Sequence, residues 1–362
     1  MHLFLAAPQM GRFLSEEISR ASLGTTQAWI ADDLLAVENV PDIYRGPTVF
    51  SHQCLPKAAA WPIPSIRLTA ESLATELIQK FPDDIPWRLH VVARYGIAEA
   101  GHHRCQLIRE GVVDQLKKRN RSLLKQLDMA PLNGVPNPLG SRAVSPPFQA
   151  QEGLVQLLLT SPETGYLSLL NHLTGQMPSQ WIGTVSPFLK GVIPIAVDKG
   201  APSRAFAKLV ESEHRLGKYI SQGESCVDLG ASPGSWTYIP AQRGAQVIAV
   251  DRSPLREDLM RHSLVKFVQG DAFQFAPSGP VDWLLCDVIA APERSIRLLI
   301  DWVRERRCRQ FVVTIKFRGD TEYALLDELK SEMPKLCEVF HLLHLCANKN
   351  EVSAFGIGRR LV

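Results

Sequence analysis

Four residues of this chain have types and settings suited to taking a proton from a weakly acidic hydroxyl. Asp287 closes the apolar run VDWLLCD, Lys316 closes QFVVTIK, and Glu351 sits in NKNEVSAFGIG just ahead of the last such run. Lys208 lies in SRAFAKLVE, a helix-like stretch that precedes all of these runs. A sugar hydroxyl is a poor nucleophile until it loses its proton, so its alkylation calls for a base. A lysine buried beside a second cation is driven toward its neutral form. On this reading Lys316 is the base, Lys208 depresses its proton affinity, and Asp287 and Glu351 orient the pair, with mutual pairing limiting the cost of burying the charges. Taken singly, Lys208 and Glu351 also read as ordinary surface charges. Lys316 does so less readily, because it directly follows a strand-like run at its ligand-binding end.

A second constellation lies upstream. Asp228, Gly230, Ala231, Pro233, Gly234, Ser235 and Trp236 form a turn between an apolar strand and a helix. Glycines there allow a tight turn and close approach of a ligand, and the helix start offers free N–H groups to a carboxylate. The turn is not G-x-G-x-x-G, which argues against a pyrophosphate ligand. Asp251 stands 23 residues after Asp228 at the end of AQVIAVD, where a carboxylate accepts both hydroxyls of a ribose. Gly270-Asp271-Ala272-Phe273 sets a carboxylate and an aromatic ring one strand further on, suited to an adenine. This order of features points to S-adenosyl-L-methionine (AdoMet), with Ser203 and Asp287 completing the candidate cofactor set and no metal required.

These residues need a scaffold that brings strand ends together. From Ser225 onward, short apolar runs alternate with helical stretches, the pattern of a mostly parallel, doubly wound Rossmann-like α/β sheet. The last two runs, near 339–345 and 352–357, are too close together for a parallel crossover and imply an antiparallel pair with an antiparallel edge strand. Ser203 is the expected N-cap of the preceding helix. Upstream, Leu3–Ala6 and the run WRLHVVAR read as strands, and QLIREGVVDQLKKRNRSLLKQLD as one helix with Arg109, Lys117, Lys118, Arg119, Arg121 and Lys125 on its exposed face. The stretch 129–148 contains Pro131, Gly134, Pro136, Pro138, Gly140, Pro146 and Pro147 and reads as loop. The expected organisation is a small α/β subdomain over 1–65, a second α/β domain over 66–187, and the Rossmann-like domain over 188–362.

The set Lys208, Asp287, Lys316 and Glu351, with S-R-A-x-x-K-L-x-E around the first lysine, resembles the Lys-Asp-Lys-Glu tetrad of the FtsJ-type ribose 2′-O-methyltransferases. Ala201-Pro202-Ser203-Arg204, the Asp228–Trp236 turn and Glu351-Val352 are similar to those members of the family that join an RNA-binding THUMP region to the catalytic domain. Where such members usually carry glycine, this chain has Ser235. The resemblance covers about 200–362. It implies an AdoMet-dependent RNA methyltransferase acting on a ribose 2′-oxygen, with 23S rRNA or a ribosome assembly precursor as partner and a THUMP-like domain upstream.

Composition fits this picture without requiring it. Of 362 residues, 45% are hydrophobic and 21% charged, which describes a folded chain and not a disordered one. No apolar run is long enough to span a membrane, and the amino terminus lacks the basic region of a signal peptide, so a cytoplasmic monomer or weak oligomer is expected. The seven cysteines are scattered without a C-x-x-C pair, which disfavours disulfides and zinc; Cys226 and Cys286 read as core residues. A net charge of +3 is too small to argue nucleic-acid binding, so local patches must carry it: Arg109 to Lys125, and Arg304, Arg306, Arg307 and Arg309. Two other readings stay open: an AdoMet enzyme acting on a base, protein or small molecule, which would not need the two lysines, and a non-catalytic RNA-binding scaffold.

Overall fold

The computed structural model describes residues 1–21, 26–38, 48–95, 100–129, 137–140, 152–171 and 185–359. The chain divides into two compact units, residues 1–134 with 148–192, and residues 135–147 with 193–362. Most of the proline-rich stretch 129–148, including Pro131, Gly134, Pro136, Pro146 and Pro147, lies outside the described residues.

The first unit holds two four-stranded sheets. One contains β1 (His2–Ala6), β2 (Thr26–Ala31), β3 (Leu34–Glu38) and β4 (Ser51–Leu55) in the order β2-β3-β1-β4, with α1 (Gly11–Ala21) following β1. The other contains β5 (Ala59–Pro62), β6 (Trp87–Ala93), β7 (Gly153–Leu159) and β8 (Thr164–Leu170) in the order β5-β8-β7-β6. Its apolar face packs against α2 (Ile66–Lys80) and α3 (His102–Arg119) through Leu73, Leu77, Leu89, Ile108 and Val112, all fully buried. β5 precedes Ile66 yet pairs with β8 in the second sheet.

The single helix expected over 106–128 is broken. α3 ends at Arg119 and α4 (Arg121–Lys125) begins anew, because Asn120 adopts an extended backbone (φ −152°) and its side chain accepts the Leu123 N–H. Lys117, Lys118, Arg119, Arg121 and Lys125 are exposed, as their spacing predicts. Arg109 is not: it is half-buried, and its Nε and Nη2 are enclosed without a hydrogen-bond partner.

The second unit is built from α5 (Phe206–Leu216), β9 (Ser225–Leu229), α6 (Ser235–Gln242), β10 (Gln246–Asp251), α7 (Glu257–Met260), β11 (Val265–Gln269), β12 (Val281–Cys286), α8 (Pro292–Arg304), β13 (Cys308–Lys316), α9 (Leu326–Leu336), β14 (Cys337–Leu343) and β15 (Glu351–Gly358). Its seven-stranded sheet has the order β11-β10-β9-β12-β13-β15-β14. The first five strands are parallel, and β9, β12 and β13 at their centre are near-continuous buried apolar runs, as strands covered on both faces must be. Cys226 and Cys286 are buried in these strands, where the sequence puts them. The winding reverses between β9 and β12, which opens a crevice beyond the carboxyl ends of the strands.

β15 runs antiparallel to both β13 and β14. The expected antiparallel pair is present at one edge of the sheet, with β15 inside and β14 outermost. α9 carries the chain two positions past β13, and the short turn after β14 returns β15 into the gap.

Candidate active site

The carboxyl ends of β9, β10, β12 and β13 bring the residues singled out by their spacing to one edge of the sheet. The first βα turn runs between β9 and α6. Gly230 has φ +74°, and a Cβ there would stand 2.9 Å from Val288 Cα, so only glycine lets this turn lie against the segment after β12. Gly234, at φ +110°, caps α6, and a Cβ would meet Leu259 Cδ1 at 2.3 Å. Asp251 braces the same turn: its Oδ2 accepts the Ser232 N–H at 3.0 Å and its Oδ1 the Ser253 N–H at 2.9 Å. Each oxygen retains capacity for a further donor.

Asp228 is buried beneath the turn. Thr237 Oγ1 donates to its Oδ2 at 2.6 Å, while Oδ1 is enclosed without a partner. Burial lifts its carboxyl to about 7, with nearby Asp287 and Asp251 adding to the rise. A glycine cradle and an orphaned buried acceptor fit a ligand that brings both an amino-acid end and donors to this turn.

Other members of the candidate cofactor set are placed differently. Trp236 is 2% exposed and faces the core; its Nε1 donates to Ala205 O at 2.8 Å, tying α6 to the start of α5. Ser203 does not cap α5, which begins at Phe206 with Ala205 as N-cap and no side-chain bond. Its Oγ instead lies 2.7 Å from Ser235 Oγ and accepts the Ala205 N–H at 3.2 Å, because the chain makes a further turn before the helix starts. Ala231 and Ser235 are buried in the turn, and Pro233 O accepts the Arg256 N–H at 3.0 Å. Asp271 has both oxygens engaged, Oδ1 by Phe273 N–H at 2.9 Å and Oδ2 by Arg252 at 2.7 Å. These donors hold its carboxyl below the usual range. The Phe273 ring is covered on one face by the Arg294 guanidinium, 3.9 Å from the ring centroid.

The four proton-handling candidates converge. Lys208 Nζ lies 2.7 Å from both carboxylate oxygens of Asp287 and 3.2 Å from Glu351 Oε1. Lys316 Nζ donates to the backbone O of Asp287 at 2.9 Å, and lies 3.1 Å from Asp287 Oδ1 and 4.0 Å from Glu351 Oε2. Two ammonium and two carboxylate groups thus interlock, with Asp287 shared by both lysines. The Lys208 side chain is 6% exposed and that of Lys316 22%, so Lys316 is the one that faces an incoming molecule.

Lys208 is fixed by its helix. α5 is buried from Phe206 to His214, an apolar face plus charged residues that are each compensated. Glu211 Oε1 accepts from Arg215 Nη2 at 2.7 Å and its Oε2 accepts the Cys346 N–H at 2.9 Å. Glu213 Oε1 takes Arg243 Nη1 at 2.6 Å, and Arg243 Nη2 donates to Pro138 O at 2.6 Å. Glu211 therefore ties the lysine-bearing helix to the turn ahead of Glu351. Sequence spacing did not point to Thr237, Glu211 or Asn348, the last of which donates from Nδ2 to Glu351 Oε1 at 3.3 Å.

The second basic patch does not share this edge. Arg304, Arg306, Arg307 and Arg309 sit at the amino end of β13, the opposite end from Lys316. Arg304 pairs with Asp301 and Glu332, and Arg307 with Glu305 while lying over Trp302, so much of the patch is neutralised locally. Among the described residues no group of histidine, cysteine or acidic side chains is arranged to hold a metal ion, and no helix is long and apolar enough to cross a membrane.

Residues 201–346 match the family model described as FtsJ-like methyltransferase. The chain is 31% identical over 213 residues to Ribosomal RNA large subunit methyltransferase M of Thauera aminoaromatica, covering 56% of each chain. To the protein of the same name from Laribacter hongkongensis it is 40% identical over 182 residues, 47% of this chain and 52% of that one. The chain thus spans about half the length of the curated relatives it matches. A solved structure, the Methanococcus jannaschii fibrillarin pre-rRNA processing protein, is 18% identical, covers 38% of this chain and 68% of that one, and superposes with a TM-score of 0.32.

Proposed function

We propose that this chain, FtsJ-like over residues 201–346, is an AdoMet-dependent methyltransferase that modifies a ribose 2′-oxygen of large-subunit ribosomal RNA. The observation that carries this reading is the interlocked set of Lys208, Asp287, Lys316 and Glu351 beside the Gly230–Gly234 turn. A methyltransferase directed at an already nucleophilic base nitrogen has no need of two lysines sharing one carboxylate.

The Gly230–Gly234 turn and Asp251 would hold the amino-acid and ribose ends of AdoMet, with Asp228 beneath as an acceptor. When bound, AdoMet supplies the electrophilic methyl group. The protein's part is to remove a proton and to orient. Lys316 Nζ, in its neutral form, takes the 2′-hydroxyl proton as the oxygen attacks in line. Asp287 and Glu351 fix the direction of that amine, and Lys208, held by two 2.7 Å contacts to Asp287, keeps the shared carboxylate in place. The conjugate ammonium is then stabilised by the same two carboxylates.

The first unit is assigned the RNA grip as a THUMP-like module. Its exposed Lys117, Lys118, Arg119, Arg121 and Lys125 suit phosphate contacts, which orient RNA without reading its sequence. The names of the relatives support ribosomal RNA as the substrate class.

The test is to map 2′-O-methyl sites on total RNA from cells with and without the protein. One ribose methylation in large-subunit rRNA that vanishes with the protein is the expected result. Loss of a base methylation, or no change, would overturn it.

A further inference from the structure

Asn348 lies in the turn that delivers Glu351 to β15, is 8% exposed, and bonds in two directions. Its Oδ1 accepts the Leu345 N–H at 2.6 Å and Ser353 Oγ at 3.3 Å, while its Nδ2 donates to Glu351 Oε1 at 3.3 Å. With an N–H and a hydroxyl aimed at Oδ1, the amide has one orientation; exchanging O and N would set donor against donor.

The Glu351 carboxylate turns on a soft terminal torsion. Its Oε1 meets Lys208 Nζ at 3.2 Å and its Oε2 faces Lys316 Nζ at 4.0 Å. The longer contact alone is too weak to fix the plane. Asn348 supplies a further anchor, and Glu211, through the Cys346 N–H, holds the turn on which Asn348 stands.

We propose that Asn348 is a positioning residue for the methyl transfer, holding the Glu351 carboxylate so that one oxygen faces each lysine. The inference rests on the reading in which Lys316 takes the proton. The charged and titratable groups around Glu351 are Lys208 from α5, Asp287 after β12, Lys316 on β13, and His344 from the turn after β14. His344 is buried, its Nε2 lies 2.9 Å from Lys349 O, and burial keeps its proton affinity below the ordinary value. Among the described residues, the Glu351 carboxylate is hydrogen-bonded by Lys208, which carries charge, and by Asn348, which does not.

The experiment is methyl transfer by the full chain to in vitro transcribed 23S rRNA, followed across pH. Asn348→Ala frees the carboxylate and should lower kcat by about tenfold, the scale of a modest misplacement of a catalytic group. KM for AdoMet and for RNA should stay within about twofold, since the amide is buried behind Glu351. The need for a neutral Lys316 amine makes the rate rise with pH; Asn348→Asp sets a second carboxylate against Glu351 and favours the protonated amine, so that rise should move up by about one pH unit. A lowered rate in Asn348→Asp with the wild-type pH midpoint is what a merely structural asparagine gives, and it overturns the proposal. So does an unchanged kcat in Asn348→Ala. Lys316→Ala run alongside separates the two ideas: if it keeps turnover, the base assignment itself has failed.

Discussion

Lys316 and Glu351 are direct cross-strand partners, paired in the register of β13 and β15, with Nζ and Oε2 4.0 Å apart. A lysine and an acid far apart in the chain are therefore brought opposite one another by backbone pairing, and sheet geometry fixes the separation of their backbones while the turn before β15 orients the carboxylate.

Lys316→Ala should lose methyl transfer by a factor on the order of 10² to 10⁴, the usual worth of a general base, while AdoMet affinity is kept. Lys316→Arg should be no better, because a guanidinium cannot accept the proton. Single-turnover kinetics with radiolabelled methyl donor measure both. Near-normal turnover in Lys316→Arg would shift the reading toward base-directed chemistry.

Asp251→Ala should weaken AdoMet binding by roughly tenfold to a hundredfold, the worth of a hydrogen bond to a charged group. Its carboxylate braces Ser232 N–H as well as offering oxygens to a ribose, so both the cradle and the contact suffer. Titration calorimetry reads the change, and equal affinity in the variant would displace this residue from the site.

Asp228 gives a pH test. Burial lifts its carboxyl from 3.8 to about 7, so between these values the folded chain keeps a proton that the unfolded chain has released. Its contribution to stability is full below about pH 4 and is lost as the pH rises toward 7. Asp228→Asn cannot ionise, and should remove that loss. Urea midpoints of both proteins at pH 5 and pH 8, without ligand, should show a smaller decline in the variant; parallel declines would refute the shift.

A protein beginning at Ile193 should fold and bind AdoMet yet methylate rRNA poorly, because it lacks the cationic surface of α3 and α4. It should also be less stable than the same unit in the whole chain. Arg243 is 5% exposed and loses Pro138 O, a cost of about 1–3 kcal/mol for a buried charged donor. Filter binding and thermal melts measure these; full activity in the fragment would assign the first unit another task.

The four converging residues were legible because three of them flank strand-like runs, and the ends of strands in a parallel sheet meet by topology. Inward and outward could not be told apart by spacing. Trp236 follows the turn glycines in sequence, and the first turn of α6 buries it, with its Nε1 on Ala205 O and its ring 5.9 Å from Lys208 Nζ. Arg109 falls on a polar helical position whose neighbours are solvated, but packing around it encloses the guanidinium. Asn348 sits in an irregular turn where no periodicity applies; its three-residue offset from Glu351 was the only signal. The position of β15 depended on where α9 lands, which its composition does not specify.

β15 follows β14 in the chain but lies between β14 and β13 in the sheet. Among the described residues β14 pairs with β15 alone, so the attachment of both outer strands to the parallel core runs through the strand that delivers Glu351. The parallel core and its turn at Gly230 can therefore form, and accept a small ligand, before the proton-handling set exists. After dilution from denaturant, recovery of AdoMet binding should run ahead of recovery of methyl transfer, and the interval between them times the arrival of a single strand.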